Sequence, residues 1–242
     1  MLRGTLERLS RGIVLKRKLI AEFGKKSIFV TPEAALRYWG GGDYDPMLSK
    51  IILERIKTHD VVLDLGANVG LFSFGCAALG ASVHAFEPDT FLVSLFRKSQ
   101  RLNSDLDVNL YPAAVADKVG FTKLNIARRG RATNYLDVAA GSTQTGGVRE
   151  VQIVPCYSVD WMVKTDELPV PNFIKIDIEG AEELALKGMA KLLDTHKPTL
   201  LCEVRESNRQ RITECLINYG YELYDAENGG ADISKVENIL AL

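Results

Sequence analysis

The chain has 242 residues, 46% of them hydrophobic and 25% charged, with 30 Lys and Arg against 31 Asp and Glu for a net charge of −1. That length and apolar fraction suffice for one α/β domain with a full core, while the near-zero balance excludes the basic footprint of a nucleic-acid partner. No apolar run approaches a bilayer span, the N-terminus lacks a secretory signal, and Cys76, Cys156, Cys202 and Cys215 form no Cys-x-x-Cys pair, so a cytoplasmic protein with reduced, buried thiols is expected.

Residues 1–26 carry Arg3, Arg8, Arg11, Lys16, Arg17, Lys18, Lys25 and Lys26 against Glu7 and Glu22, with Leu6, Leu9, Ile13 and Ile20 at roughly helical spacing. The pattern predicts a basic amphipathic helix. Such a helix suits peripheral contact with an anionic membrane, here at its inner face, or packing on the domain by one side; Gly12 interrupts it. A short strand is expected over 27–31 and a helical turn from Pro32 to Trp39. Gly40-Gly41-Gly42-Asp43-Tyr44-Asp45-Pro46 follows, either a linker or a loop that folds over a site, before a helix from about Met47 to Lys57. Residues 1–46 thus read as an N-terminal segment and 47–242 as the main domain.

The next stretch organises the rest. Val61, Val62, Leu63 and Leu65 predict a buried parallel strand with Asp64 near its carboxyl end. The turn Gly66-Ala67-Asn68-Val69-Gly70 leads into an apolar helix from about Leu71 to Leu79, closed by Gly80; Ala81–Phe86 predict a second strand ending at Glu87, and Pro88 is placed to open the next helix. In such a unit a nucleoside sits outside the carboxyl ends of the strands, met by the turn amides and, at its ribose, by the acid of the second strand. The Asp64-x-Gly66-x-Asn68-x-Gly70 order differs from the dinucleotide G-x-G-x-x-G, because a leading carboxylate repels pyrophosphate. It suits a ligand with a cationic end, as S-adenosylmethionine has.

A helix to about Leu102 and a strand from Val108 to Tyr111 follow, and Ala113-Ala114-Val115-Ala116-Asp117 bring another acid to a strand end, fit for an adenine amino group or for an ordinary turn. Residues 118–157 break the rhythm. Phe121–Ala127 and Glu150–Cys156 alternate like strands around Arg128, Arg129, Arg131 and the loop at 141–147, predicting an antiparallel hairpin added to the sheet. Its arginines suit a phosphate or carboxylate, or a solvated tip.

Ser158 is a candidate cap for a helix at 159–164. The strand Phe173-Ile174-Lys175-Ile176-Asp177-Ile178-Glu179-Gly180 puts Lys175, Asp177 and Glu179 on one face, as functional groups or as a plain ion pair. A helix from Ala181 to His196 with a bend at Gly188, a strand at 199–204, a helix at 208–219 and a strand at 221–224 complete the chain. None of the 3 histidines has a metal-binding spacing, and His84 reads as a hydrogen-bonded core residue. No metal site is expected, although the strand carboxylates are a conceivable divalent-cation set.

Together these pieces resemble the FkbM family of S-adenosylmethionine-dependent methyltransferases. The likeness rests on Asp64–Gly70, Phe86-Glu87-Pro88-Asp89, Ala114–Asp117 and above all Lys175-Ile176-Asp177-Ile178-Glu179-Gly180-Ala181-Glu182, in that order over roughly residues 40–225. The resemblance implies a Rossmann-like class I α/β fold, a mostly parallel seven-stranded sheet with one antiparallel strand, and O-methylation of a sugar, glycolipid or polyketide-like hydroxyl. It also implies that Asp64, Gly66, Ala67, Asn68 and Gly70 hold the methionine end of S-adenosyl-L-methionine, Glu87 and Pro88 the ribose side, and Ala114 and Asp117 the adenine. Asp177 or Glu179 would orient or deprotonate the acceptor. The alternatives are a non-catalytic S-adenosyl-binding module and a nicotinamide-dependent oxidoreductase, the latter opposed by the missing G-x-G-x-x-G.

Overall fold

A computed structural model of the chain describes residues 9–138 and 145–242. Beyond residue 14 the helical expectation fails: Leu15–Lys18 (β1) is a strand, paired antiparallel with Ser27–Val30 (β2), Leu15 opposite Val30. Leu15 and Arg17 are half-buried while Lys16 and Lys18 are exposed, the period of two that a strand requires. A 3-10 turn at Ala21–Phe23 between the strands drops Phe23 into the core. The part of the expected helix at 1–8 lies outside the described residues.

Pro46–Arg55 (α1) is capped by Asp45, which accepts from the Leu48 N–H at 3.1 Å, with Pro46 at the first helical position. Val61–Leu65 (β3), Leu71–Ala78 (α2), Ser82–Phe86 (β4), Thr90–Leu102 (α3) and Val108–Tyr111 (β5) then form two successive parallel crossovers. Pro88 does not open α3: Asp89 is the cap and accepts from the Phe91 N–H at 2.9 Å. His84 is buried and its Nδ1 lies 3.1 Å from the Tyr111 hydroxyl.

Residues 114–157 do not extend the main sheet. Ala114–Val115 (β6), Gly120–Ala127 (β7), Tyr135–Leu136 (β8) and Val148–Tyr157 (β9) make a separate 4-stranded sheet, ordered β6-β9-β7-β8. It has its own small core of Leu124, Ile126, Leu136, Val154 and Cys156, which is why it folds as a unit rather than as an edge. The loop expected at 141–147 is outside the described residues as far as 144.

Val159–Lys164 (α4) starts at Ser158, whose side chain makes no cap hydrogen bond. Phe173–Ile176 (β10) lies between β3 and Thr199–Glu203 (β11), Phe173 facing both Val62 and Thr199 in parallel register. The strand expected to reach Gly180 ends at Ile176. The helix expected at 181–196 is two, Glu182–Gly188 (α5) and Ala190–Thr195 (α6), split where Gly188 presses on the Ala116 carbonyl so closely that any Cβ would collide. After Arg209–Asn218 (α7) and Leu223–Asp225 (β12) comes a strand with no counterpart in the sequence reading, Asn238–Ala241 (β13), inserted antiparallel between β11 and β12.

The main sheet is thus 7-stranded, ordered β12-β13-β11-β10-β3-β4-β5, with β13 its antiparallel member. Apolar layers cover both faces. One includes Leu63, Ile174, Leu193, Leu200 and Leu216. The other joins Phe23, Ile28, Val30 and Tyr38 to Ile52, Phe72 and Phe96, so the described residues before 46 share their core with the sheet. The 4 cysteines are free, Cys215 alone being partly exposed. No helix among the described residues is long and apolar enough to cross a membrane.

Candidate active site

A cavity of about 560 Å³ opens beyond the carboxyl ends of β3, β4, β10 and β11, with Arg37 and Tyr38 on one side and Arg131, Asn134 and Tyr135 of the inserted sheet on another. At its centre is the glycine turn. Gly66 adopts φ 81 and a Cβ there would collide with the Asp177 carbonyl, so only glycine lets the turn lie against the end of β10. Three of the turn amides already have partners: Gly66 and Ala67 N–H both donate to the Phe86 carbonyl, at 3.0 and 2.9 Å, and the Asn68 N–H donates to Glu87 at 2.8 Å. What the turn does offer is the Asn68 side-chain oxygen, buried in the lining without a hydrogen-bond partner.

Glu87 is buried beside it, each carboxylate oxygen accepting a backbone N–H, from Asn68 and from Asp89, both at 2.8 Å. Burial nevertheless pushes its carboxyl up to about 8. Ala67, Pro88 and Ala114 also line the cavity. Three of the expected ligand residues do not. Asp64 is wholly buried, accepting from the Ser73 hydroxyl at 2.5 Å and lying 3.5 Å from the Lys175 ammonium. Gly70 sits at the cap of α2, packed against Phe74 and Phe96. Asp117 is exposed and outside the lining, where Ala113, Ala114 and Val115 stand instead.

The opposite wall carries a carboxylate cluster. Lys175 is buried at 3.1 Å from Asp177; burial works to lower its ammonium, but the Asp177 and Asp64 charges outweigh that and hold it above the usual lysine value. Burial works to raise Asp177, yet the Lys175 charge and hydrogen bonds from Glu203 and Lys175 hold it down at about 2. The Asp177 charge, then burial, push Glu203 up to about 10. Glu203 therefore keeps its proton and donates a hydrogen bond to the Asp177 carboxylate. Glu179, at φ 54, lines the same wall but is paired with the Arg205 guanidinium. Oxygens of Asp177, Glu179 and Glu203 lie within 4.8 Å of one another, a donor set able to hold a divalent cation, although Lys175 and Arg205 already supply positive charge there.

Glu203 escaped the sequence reading, although it ends its strand as Glu87 follows the end of β4. Arg37, 3.1 Å from Asp45, carried no signal at all. Arg131 is not free for a ligand carboxylate: it holds the buried Asp89 at 2.5 Å and Glu33 at 3.3 Å, which also takes Arg149 at 2.5 Å.

An orphaned amide oxygen and a buried acid, set together in a polar cavity at the strand ends, fit the hydroxyl and amine donors of an S-adenosyl group. The fold is that of a Rossmann-like class I methyltransferase, whose cofactor is S-adenosyl-L-methionine. Residues 64–223 match the methyltransferase FkbM domain, and the chain belongs to the FkbM methyltransferase family. The hexuronic acid methyltransferase AglP of Haloferax volcanii is 25% identical over 185 residues, 75% of this chain and 72% of that protein. The crystal structure of methyltransferase FkbM from Methylobacillus flagellatus superposes with a TM-score of 0.59 at 17% identity over 82% of this chain; the match spans 48% of that one, about half its length. The Pyrococcus abyssi tRNA (uracil-54, C5)-methyltransferase, solved with S-adenosyl-L-homocysteine, superposes with a TM-score of 0.49 at 13% identity, over 94% of this chain and 43% of that one.

Proposed function

We propose that the chain methylates a hydroxyl of a sugar-type acceptor, free or on a glycolipid, with Asp177 receiving the hydroxyl. The observation that carries this is the Lys175–Asp177–Glu203 cluster on the wall of the cavity that the glycine turn and Glu87 share. The 25% identity to a hexuronic acid methyltransferase supports the acceptor class, with a polyketide-like hydroxyl the less favoured substrate.

In this reading Asn68 and the turn hold the methionine part of the cofactor, Glu87 the ribose hydroxyls, and Ala114 and Pro88 the flank of the base. The bound cofactor supplies a methyl group on a sulfonium sulfur, an electrophile that needs no further activation. The protein's task is then orientation. Asp177, ionised and fixed by Lys175 and Glu203, accepts the acceptor hydroxyl and aims its oxygen. A carboxylate held at about 2 is a weak base. It suffices because the hydroxyl becomes strongly acidic only as its oxygen gains a carbon, so proton uptake by Asp177 follows bond formation. Glu179, tied to Arg205, takes the supporting part of fixing the loop after β10.

The test pairs calorimetry with turnover on a panel of uronic acids, neutral sugars and glycolipids. Asp177→Asn should lower turnover about 10²- to 10⁴-fold while S-adenosylhomocysteine binds as before. Full turnover in Asp177→Asn, with unchanged cofactor binding, would sink the assignment.

A further inference from the structure

We infer that the outer face of the inserted sheet, together with the solvent side of α3, docks on an anionic membrane surface. The inference reaches beyond the methyl-transfer chemistry and stands whichever hydroxyl is methylated.

The pairing of β7 with β9 sets Phe121 opposite Pro155 and Lys123 opposite Ile153. Alternation then sends large apolar side chains to both faces of this sheet, with Lys123 among them on the outer one. One, with Leu124, Ile126 and Val154, is buried in the small core. The other looks outward: Phe121 is 73% exposed, Ile153 65% and Val151 52%, with Val119 46% exposed in the turn just before. Large apolar side chains gathered on one surface are uncommon unless something covers them.

Beside this face runs a groove whose walls differ in chemistry. Ile153 and Pro155 form one side, and Arg97, Lys98 and Arg101 of α3 the other. The three cations are exposed and join no ion pair among the described residues, and α3 itself carries no acid. Its opposite side, Leu92, Leu95 and Phe96, is already spent on the core. Side chains that enter the acyl boundary, set next to cations that meet lipid phosphates, are the two elements of peripheral binding to an anionic bilayer.

The rival occupant is a second copy of the chain. A two-fold interface would bring Arg97, Lys98, Arg101 and Lys123 of both copies together, like charge into like. In the N-terminal segment, three of the eight cations already have partners: Arg11 donates to the Arg128 carbonyl, Arg17 to the Tyr38 and Trp39 carbonyls, and Lys26 to Asp105. The docking face adjoins the active site. Pro88 lines both the groove and the cavity, so an acceptor held in the bilayer would be presented beside Glu87.

Vesicle co-sedimentation tests this, using phosphatidylcholine alone and phosphatidylcholine mixed with phosphatidylglycerol. The chain should pellet only with the anionic vesicles and less so as salt rises. Phe121→Asp with Ile153→Asp should abolish pelleting, and charge reversal of Arg97, Lys98 and Arg101 to Glu should weaken it by roughly fivefold per cation. Unchanged S-adenosylhomocysteine binding shows that both variants are folded. The proposal falls if the intact chain pellets with neither vesicle, or if both variants pellet as well as it does. It falls equally if the chain sediments as a dimer that Phe121→Asp with Ile153→Asp dissociates, which would assign the face to a second copy.

Discussion

Glu87 joins the two halves of the cofactor end, since its two oxygens tie the turn at Asn68 to the cap of α3 at Asp89. Burial lifts its carboxyl from 4.5 to about 8, so the folded chain keeps a proton that the unfolded chain has released. The stability this group contributes is complete below about 4.5 and is lost as pH rises through about 8. In its proposed role at the ribose, Glu87 accepts hydroxyls best when ionised. Affinity for S-adenosylhomocysteine should therefore climb by up to roughly tenfold per pH unit between about pH 6 and 8. Titration calorimetry across that range checks it, and Glu87→Gln should bind weakly with a flat profile. Across the cavity, the Asp177 charge and burial raise the Glu203 carboxyl, so the proposed arrangement has it act as a hydrogen-bond donor rather than as a charge. Glu203→Gln keeps a donor and should hold turnover near that of the parent, whereas Glu203→Ala leaves the Asp177 carboxylate short of one and should cost roughly ten- to a hundredfold. Equal losses in the two variants would show that the charge, not the donor, is required.

The elements meet in a buried ionic knot. Asp89 caps α3, takes Arg131 at 2.5 Å and accepts from Asn134 at 2.8 Å, while Arg131 reaches on to Glu33 and lies over the Phe91 ring. One carboxylate thereby joins α3, the inserted sheet and the segment after β2. Asp89→Ala removes the cap of α3 and leaves the largely buried Arg131 with Glu33 as its remaining carboxylate, and should destabilise the fold by about 3–5 kcal/mol in urea unfolding. Asp89→Asn keeps the cap acceptor and should recover part of that loss. The arginines of the hairpin read as ligand contacts or as a solvated tip; Arg131 is no solvated tip, because it lines the cavity with partners at residues 33 and 89, far from it in the chain.

At the scale of the molecule, β13 closes the sheet. It fills the space between β11 and β12, and Ile239 and Ala241 lie in the layer with Leu200 and Cys202. Removing residues 237–242 leaves β12 with no partner and uncovers an apolar edge. The truncated chain should lose cooperative thermal unfolding, as calorimetry would show, whereas a truncation tolerated with a normal transition would mean that the sheet is complete without it.

Where neighbours in sequence are neighbours in space, the chain read alone was sufficient. The strand at 61–65, its glycine turn, the helix that follows, the strand at 82–86 and the acid beyond it were all legible, because hydrophobic period and glycine punctuation act within a few residues. The wall at Lys175 and Asp177 was legible for the same reason. Tertiary structure decided the rest. Leu15–Lys18 is a strand because β2 lies beside it, and β13 exists because β11 and β12 leave a space for it. Asp64 and Asp117 were expected at the ligand and stand elsewhere, one turned inward to Ser73 and Lys175 and the other out to solvent, while Glu203 is brought in by β11. Local pattern fixes which residues form an element; which of its side chains meet a cavity depends on partners that sequence distance hides.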